Sequence, residues 1–168
     1  MRCLTIVALL VLTPAVSAQH RTQVYFKDPA GMKVYWFTLK NGKAEFSTTP
    51  LETPGRFNFV QGAAYRLKLT HIPGNPGLEL FPTLEVHRPT TQPACEFIAH
   101  NSVPIVLTAD DVNQVVKGNY LVKVVCLPTN QVDGAELNTV TGKDAVAEAA
   151  RRGSVLIVLR IGNIVEPR

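Results

Sequence analysis

Through residues 21–86 apolar side chains alternate with polar ones in short runs, and Gly- and Pro-containing turns end each run. Alternation at period two is the signature of a strand with one buried face, and it constrains this half to antiparallel β structure. Arg21 to Phe26 is the first such run, closed by Asp28-Pro29-Ala30-Gly31. Lys33 to Leu39 follows and meets Asn41-Gly42, a dipeptide that accepts the positive φ angles of a two-residue hairpin turn. Pairing outward from that turn sets Leu39 against Ala44 and Phe37 against Phe46 on one face. On the other face Thr38 meets Glu45 and Trp36 meets Ser47. The first face is the apolar one and is expected to turn to the core.

After a loop at Pro50 to Gly55, the alternation resumes through Phe57 and Phe59. In the next run Tyr65, Leu67 and Leu69 take one face, and Arg66, Lys68 and Thr70 the other. A rigid double turn, Ile72-Pro73-Gly74-Asn75-Pro76-Gly77, precedes Leu78 to Val86. Pro82 lies in the middle of that run and cannot donate to a ladder, so the strand is expected at an edge or with a bulge.

The second half is mixed. Residues 88–95 are rich in Pro and Thr and read as a loop, with a subdomain break there as the alternative. Phe97 to Leu107 reads as one or two strands, broken near Asn101 or Pro104. Thr108 with Asp111 three residues on has the form of a capping box. The helix it opens places Val112, Val115 and Val116 on one face. Asn119 to Leu127 is apolar on both faces apart from Lys123, as expected of a central strand. A polar loop at 128–142 leads to a second helix, capped at Thr141 and running through Ala145 and Ala149, and Ser154 to Ile161 is a last apolar strand. The expected fold is mainly β: an antiparallel β-sandwich or small barrel with two short helices in the second half.

The first eighteen residues read differently. Met1-Arg2, the apolar stretch Leu4 to Leu12, Pro14 and the small triplet Val16-Ser17-Ala18 follow the pattern of a secretory signal peptide. The apolar stretch is shorter than the roughly 20 residues a bilayer crossing needs. Cleavage after Ala18 is expected to release a single β-rich domain, residues 19–168, secreted or periplasmic and without a transmembrane segment. Cys3 leaves with the signal. The two remaining cysteines, Cys95 and Cys126, are expected to form a disulfide in an oxidising compartment.

Chemistry is harder to find. The chain carries 17 basic and 13 acidic side chains, and loss of Arg2 leaves a formal +3, scattered rather than clustered. That pattern is not the stripe of a nucleic-acid binder. The four histidines, His20, His71, His87 and His100, lack the paired spacing of a zinc site. No Gly-x-Ser-x-Gly elbow is present, and no spacing selects a pair from the carboxylates. Convergence of His87 or His100 with Glu85 or Glu96 in a cleft would mark a small hydrolase. A cavity lined by Phe57, Phe59 and Tyr65 would mark a carrier of small ligands. Trp36, placed opposite the apolar hairpin face, and the pair Arg66 and Lys68 are the candidate surface contacts. No cofactor is implied.

Two stretches carry a resemblance: Pro54-Gly55-Arg56-Phe57-Asn58-Phe59 running through Gly62 to Tyr65-Arg66-Leu67-Lys68-Leu69-Thr70 and Ile72-Pro73-Gly74, and Ala150-Arg151-Arg152-Gly153 into the last strand. They resemble an uncharacterised family of bacterial secreted proteins with no assigned activity. The first stretch is also similar to sandwich modules of the carboxypeptidase-regulatory and transthyretin-like kind, in which Pro-Gly and Gly turns join strands and no catalysis occurs. The family resemblance implies no mechanism; the signal, the strand-rich pattern and the missing catalytic set lead to the expected role, a non-enzymatic binding or structural component of the cell envelope. Its expected partner is an envelope protein or polysaccharide.

Overall fold

A computed structural model describes residues 19–40, 42–129 and 136–162. The signal-peptide reading, Asn41 of the hairpin turn, part of the polar loop and the C-terminal tail lie outside the described residues. In chain order the strands of the first half are β1 (Arg21–Asp28), β2 (Lys33–Lys40), β3 (Lys43–Phe46), β4 (Leu51–Glu52), β5 (Gly55–Val60), β6 (Ala63–Thr70) and β7 (Thr83–Val86). Then come α1 (Gln92–His100), β8 (Val103–Val106), α2 (Ala109–Val116), β9 (Leu121–Pro128), β10 (Asn138–Thr141), α3 (Ala145–Arg152) and β11 (Gly153–Ile161).

The strands form a mainly β sandwich. A large sheet runs in the order β10-β9-β11-β7-β6-β2-β3, with β4 against β2, and a small sheet runs β5-β1-β8. Every pairing is antiparallel except β1 with β8, which is parallel. The core lies between the sheets: Val24, Phe26 and Phe59 of the small one pack with Val34, Leu67, Leu84, Ile157 and Leu159 of the large one. Aromatic rings join the two sheets directly, Phe59 to Tyr65 at 4.7 Å and Trp36 to Phe57 at 4.1 Å between centroids. Burial of such side chains contributes about 1.5–3 kcal/mol each, which makes this seam the main source of stability.

A second, smaller core sits on the other face of the large sheet. Val122, Val124 and Cys126 of β9 and Val158 of β11 are covered there by Ala145 and Ala149 of α3. The helix comes close because its buried side chains are alanines. The link from α3 into β11 is tight enough to need glycine: a Cβ on Gly153 would lie 1.9 Å from the Leu127 carbonyl oxygen. β9 and β11 are thus sandwiched on both faces, which explains their near-continuous apolar sequence.

Four local differences from the sequence reading have physical causes. Residues 92–100 are a helix, α1, across the end of the stretch read as loop and the start of the one read as strand, of which Val103–Val106 is β8. The Pro of α1 lies in the first turn, where proline is favoured, and Ala94 and Ile98, four apart, turn inward. Residues 138–141 are an edge strand, β10, within the stretch read as loop, and the N-cap of α3 is Asp144 rather than Thr141. In α2 the capping box forms as expected: Thr108 Oγ1 accepts from the Asp111 amide at 3.1 Å, and the Asp111 carboxylate accepts from the Thr108 amide at 2.8 Å. Val116, however, is exposed while Val112 and Val115 are buried.

The fourth difference concerns the hairpin. Its register is the expected one, Phe37 with Phe46 and Leu39 with Ala44. Its faces are reversed. Pairing of β2 with β6 sets Val34 beside Leu69 and Trp36 beside Leu67, both on the core side. Phe37 and Leu39 therefore point outward, 41 % and 80 % exposed.

Candidate binding face

That reversal creates the most distinctive surface of the molecule. The outer face of the large sheet is covered by α3 only over β9, β10 and β11. Among the described residues, no helix packs on it over β7, β6, β2 and β3. Strand alternation brings Phe37 and Leu39 of β2, Phe46 of β3, and Arg66 and Lys68 of β6 to this one face, joined by Phe81 just before β7. The rings form a chain: Phe37 to Phe46 edge-to-face at 5.0 Å, and Phe46 to Phe81 at 6.2 Å. Arg66 and Lys68 flank Phe81, their cationic ends 5.9 Å and 6.0 Å from its centroid, within range of a cation–π attraction. Lys68 is also held by Glu79 at 2.7 Å.

The expected contact residues separate accordingly. Arg66 and Lys68 lie on the open face, as their alternation with Leu67 and Leu69 required. Trp36 is half-buried, stacked on Phe57 and edge-on to Phe59 at 6.0 Å, and its backbone pairs with Ser47. Phe46 and Phe81 were not singled out by sequence. For Phe46 the signal was present in the hairpin register. For Phe81 it lay in the alternation with Leu80, hidden by the irregularity at Pro82.

Cys95 and Cys126 are free thiols, which corrects the expected disulfide. The cause is the direction of each side chain. α1 packs through Ala94 and Ile98 into the core between the sheets and leaves Cys95 exposed. Cys126 points to the opposite face of the large sheet, beneath α3. Burial pushes the Cys126 thiol pKa up, and the charge of Arg152 only partly offsets it.

At the border between the covered and open halves, Glu85 accepts a hydrogen bond from Arg160 Nε at 2.7 Å. His87 Nε2 lies 3.5 Å from the other Glu85 oxygen and makes no hydrogen bond. Both line one shallow groove with Gly62, Ala64 and Arg88, and no Ser, Thr or Cys lines it. His100 bonds through Nδ1 to the backbone carbonyl of Glu96, not to its carboxylate. His71 is exposed and touches the Thr70 hydroxyl, and His20 lines a separate cleft with Arg21, Arg88 and Cys95. Phe57, Phe59 and Tyr65 pack on one another, with Phe57 and Phe59 centroids 4.8 Å apart, and line none of the recesses described here. Among the described residues no three His, Cys, Asp or Glu side chains are grouped to hold a metal ion, and no helix is long and apolar enough to cross a membrane.

Chemically the open face offers stacking surface, aliphatic surface and two cations. No family model matches the chain, and neither a curated protein nor a solved structure matches it.

Proposed function

We propose that this protein is an exported, non-enzymatic binding module of the cell envelope. The open face of β7-β6-β2-β3 is its docking surface. One observation carries the reading: Leu39 is 80 % exposed beside the aromatic chain of Phe37, Phe46 and Phe81, with Arg66 and Lys68 at its side. Exposed apolar side chains rimmed by charge are the composition of a protein–protein contact core. The partner is an envelope protein presenting an apolar patch with acidic residues around it.

The test is affinity capture with the tagged protein from envelope extract of its own source, run beside a Phe37→Ser/Leu39→Ser variant. The expected result is a stoichiometric protein partner that the variant loses. A polysaccharide in its place would change the partner class, and a partner kept by the variant, or none at all, would overturn the reading.

The proximity of His87 to Glu85 favours a second reading, a small secreted hydrolase. Against it stand the commitment of Glu85 to Arg160 and, among the described residues, a groove lined by no Ser, Thr or Cys. Hydrolysis of ester or glycoside substrates that disappears with His87→Ala would replace the binding reading.

A further inference from the structure

On the core side of the large sheet, opposite the proposed docking face, the small sheet stops short. Its last strand, β8, leaves a recess of about 150 Å³ between itself and β9, β10 and β11. Val125, Ile157 and Leu159 form the floor, the backbone of β8 forms a wall, and exposed Thr139 marks the rim. A cavity of this size with such a lining is large enough for one single-ring molecule and gives water few partners.

Among the described residues, Lys123 is the one charged side chain lining the recess. It is the only polar residue in a run of β9 that is otherwise Val, Leu and Cys, and it lies on the core face in register with Leu159. Two groups hold its ammonium: the Val106 carbonyl oxygen at 2.8 Å and the Asp111 carboxylate of the α2 capping box. An ammonium has three donors, so one remains for a molecule in the recess. The charge is already neutralised by Asp111, which disfavours an anion, and a cation would meet the ammonium itself.

We infer that this recess binds a compact, uncharged, single-ring-sized organic molecule bearing one hydroxyl or carbonyl oxygen, with the ring on Val125, Ile157 and Leu159 and the oxygen accepting from Lys123. The inference does not depend on the docking face, which lies across the sheet.

Methyl NMR of the full chain tests it, with phenol and toluene as probes of similar size. The expected result is saturable shifts of the Val125, Ile157 and Leu159 methyls with both probes, with the Leu39 methyls unmoved. Phenol binds about two- to tenfold more tightly, the weight of one hydrogen bond. In Lys123→Met the preference disappears while toluene still binds. If that variant does not fold, the phenol-to-toluene ratio on the unmodified protein decides alone. Equal affinities for the two probes, shifts that do not saturate, or shifts centred on the open face would each overturn the assignment.

Discussion

Both halves of the outer face of the large sheet present apolar side chains, and their fates are opposite. Over β9 and β11, Val122, Val124, Cys126 and Val158 are buried under the alanines of α3. Over β2 and β3, Phe37, Leu39, Ala44 and Phe46 also bring apolar side chains to this face, yet Phe37 and Leu39 are exposed. Strand pattern alone does not decide burial. What decides it is whether another element arrives to cover the face, and here one short helix covers part of it. The residues left open differ from those covered in one respect: cations stand among them. Arg66 and Lys68 interrupt the apolar surface beside Phe81.

The sharpest way to break this contrast is to place the same charge on each half. Ala149→Asp buries an unpaired carboxylate under α3 and is expected to cost about 4 kcal/mol or more in a urea unfolding curve. Ala44→Asp, on the open half, is expected to cost less than about 1 kcal/mol. Comparable losses would mean that the open half is covered in solution.

The next effect concerns how a charge is tolerated where cover is complete. Burial alone would raise the pKa of Asp111. Hydrogen bonds from Lys123 and Thr108 and the Lys123 charge outweigh it and hold the carboxyl below its ordinary value. A carboxylate with a lowered folded pKa contributes stability that is present above its unfolded pKa, about 3.9, and lost as pH falls through the folded value. Removing one partner of a buried pair costs about 3–5 kcal/mol. Asp111→Ala is therefore expected to lose roughly 3 kcal/mol at neutral pH and to flatten the acid limb of the stability curve, measured by chemical unfolding from pH 7 to pH 3.

Thiol chemistry tests the α3 cover kinetically, with exposed Cys95 of α1 as the reference. Cys95 is expected to react with a thiol reagent in the native protein at the rate of an exposed cysteine. Cys126, buried with its pKa raised, is expected to react only as α3 opens, at least about a hundredfold more slowly. Equal rates would show that the α3 cover is loose. The smallest effect is the most informative for function: Leu39→Ser is expected to change stability by no more than about 0.5 kcal/mol while abolishing capture of the partner.

Much of this architecture was legible in residue order. The hairpin register followed from Asn41-Gly42 and cross-strand matching, the α2 capping box from Thr108 and Asp111, and the doubly covered β9 from its apolar run. The hairpin faces were not legible, because four apolar residues on one side outvoted Trp36 locally, whereas pairing with β6 and stacking on Phe57 decided the matter from a distance. The α1 helix was hidden because Pro93 reads as a linker residue until Ala94 and Ile98 are seen to share a face. For the same reason the cysteine parity argument failed: an even count carries no information about which side of a sheet each thiol faces. Of the candidate surface, Arg66 and Lys68 were visible by alternation and Phe46 by the hairpin register, while Phe81 was hidden by the irregularity at Pro82.

The parallel pairing of β1 with β8 has a consequence in time. The first described strand is the middle strand of its sheet, with β5 on one side and β8 on the other. During synthesis Val24 and Phe26 leave the ribosome early, but the second of their neighbours, Val103 to Val106, is made only after both the hairpin and α1. Until then the N-terminal strand has one open edge and the sandwich cannot close. Such long-range closure makes for slow completion of the fold. The small sheet is thus completed only after most of the first-half strands are made, and β11, the last described strand, joins the two halves of the large sheet between β9 and β7.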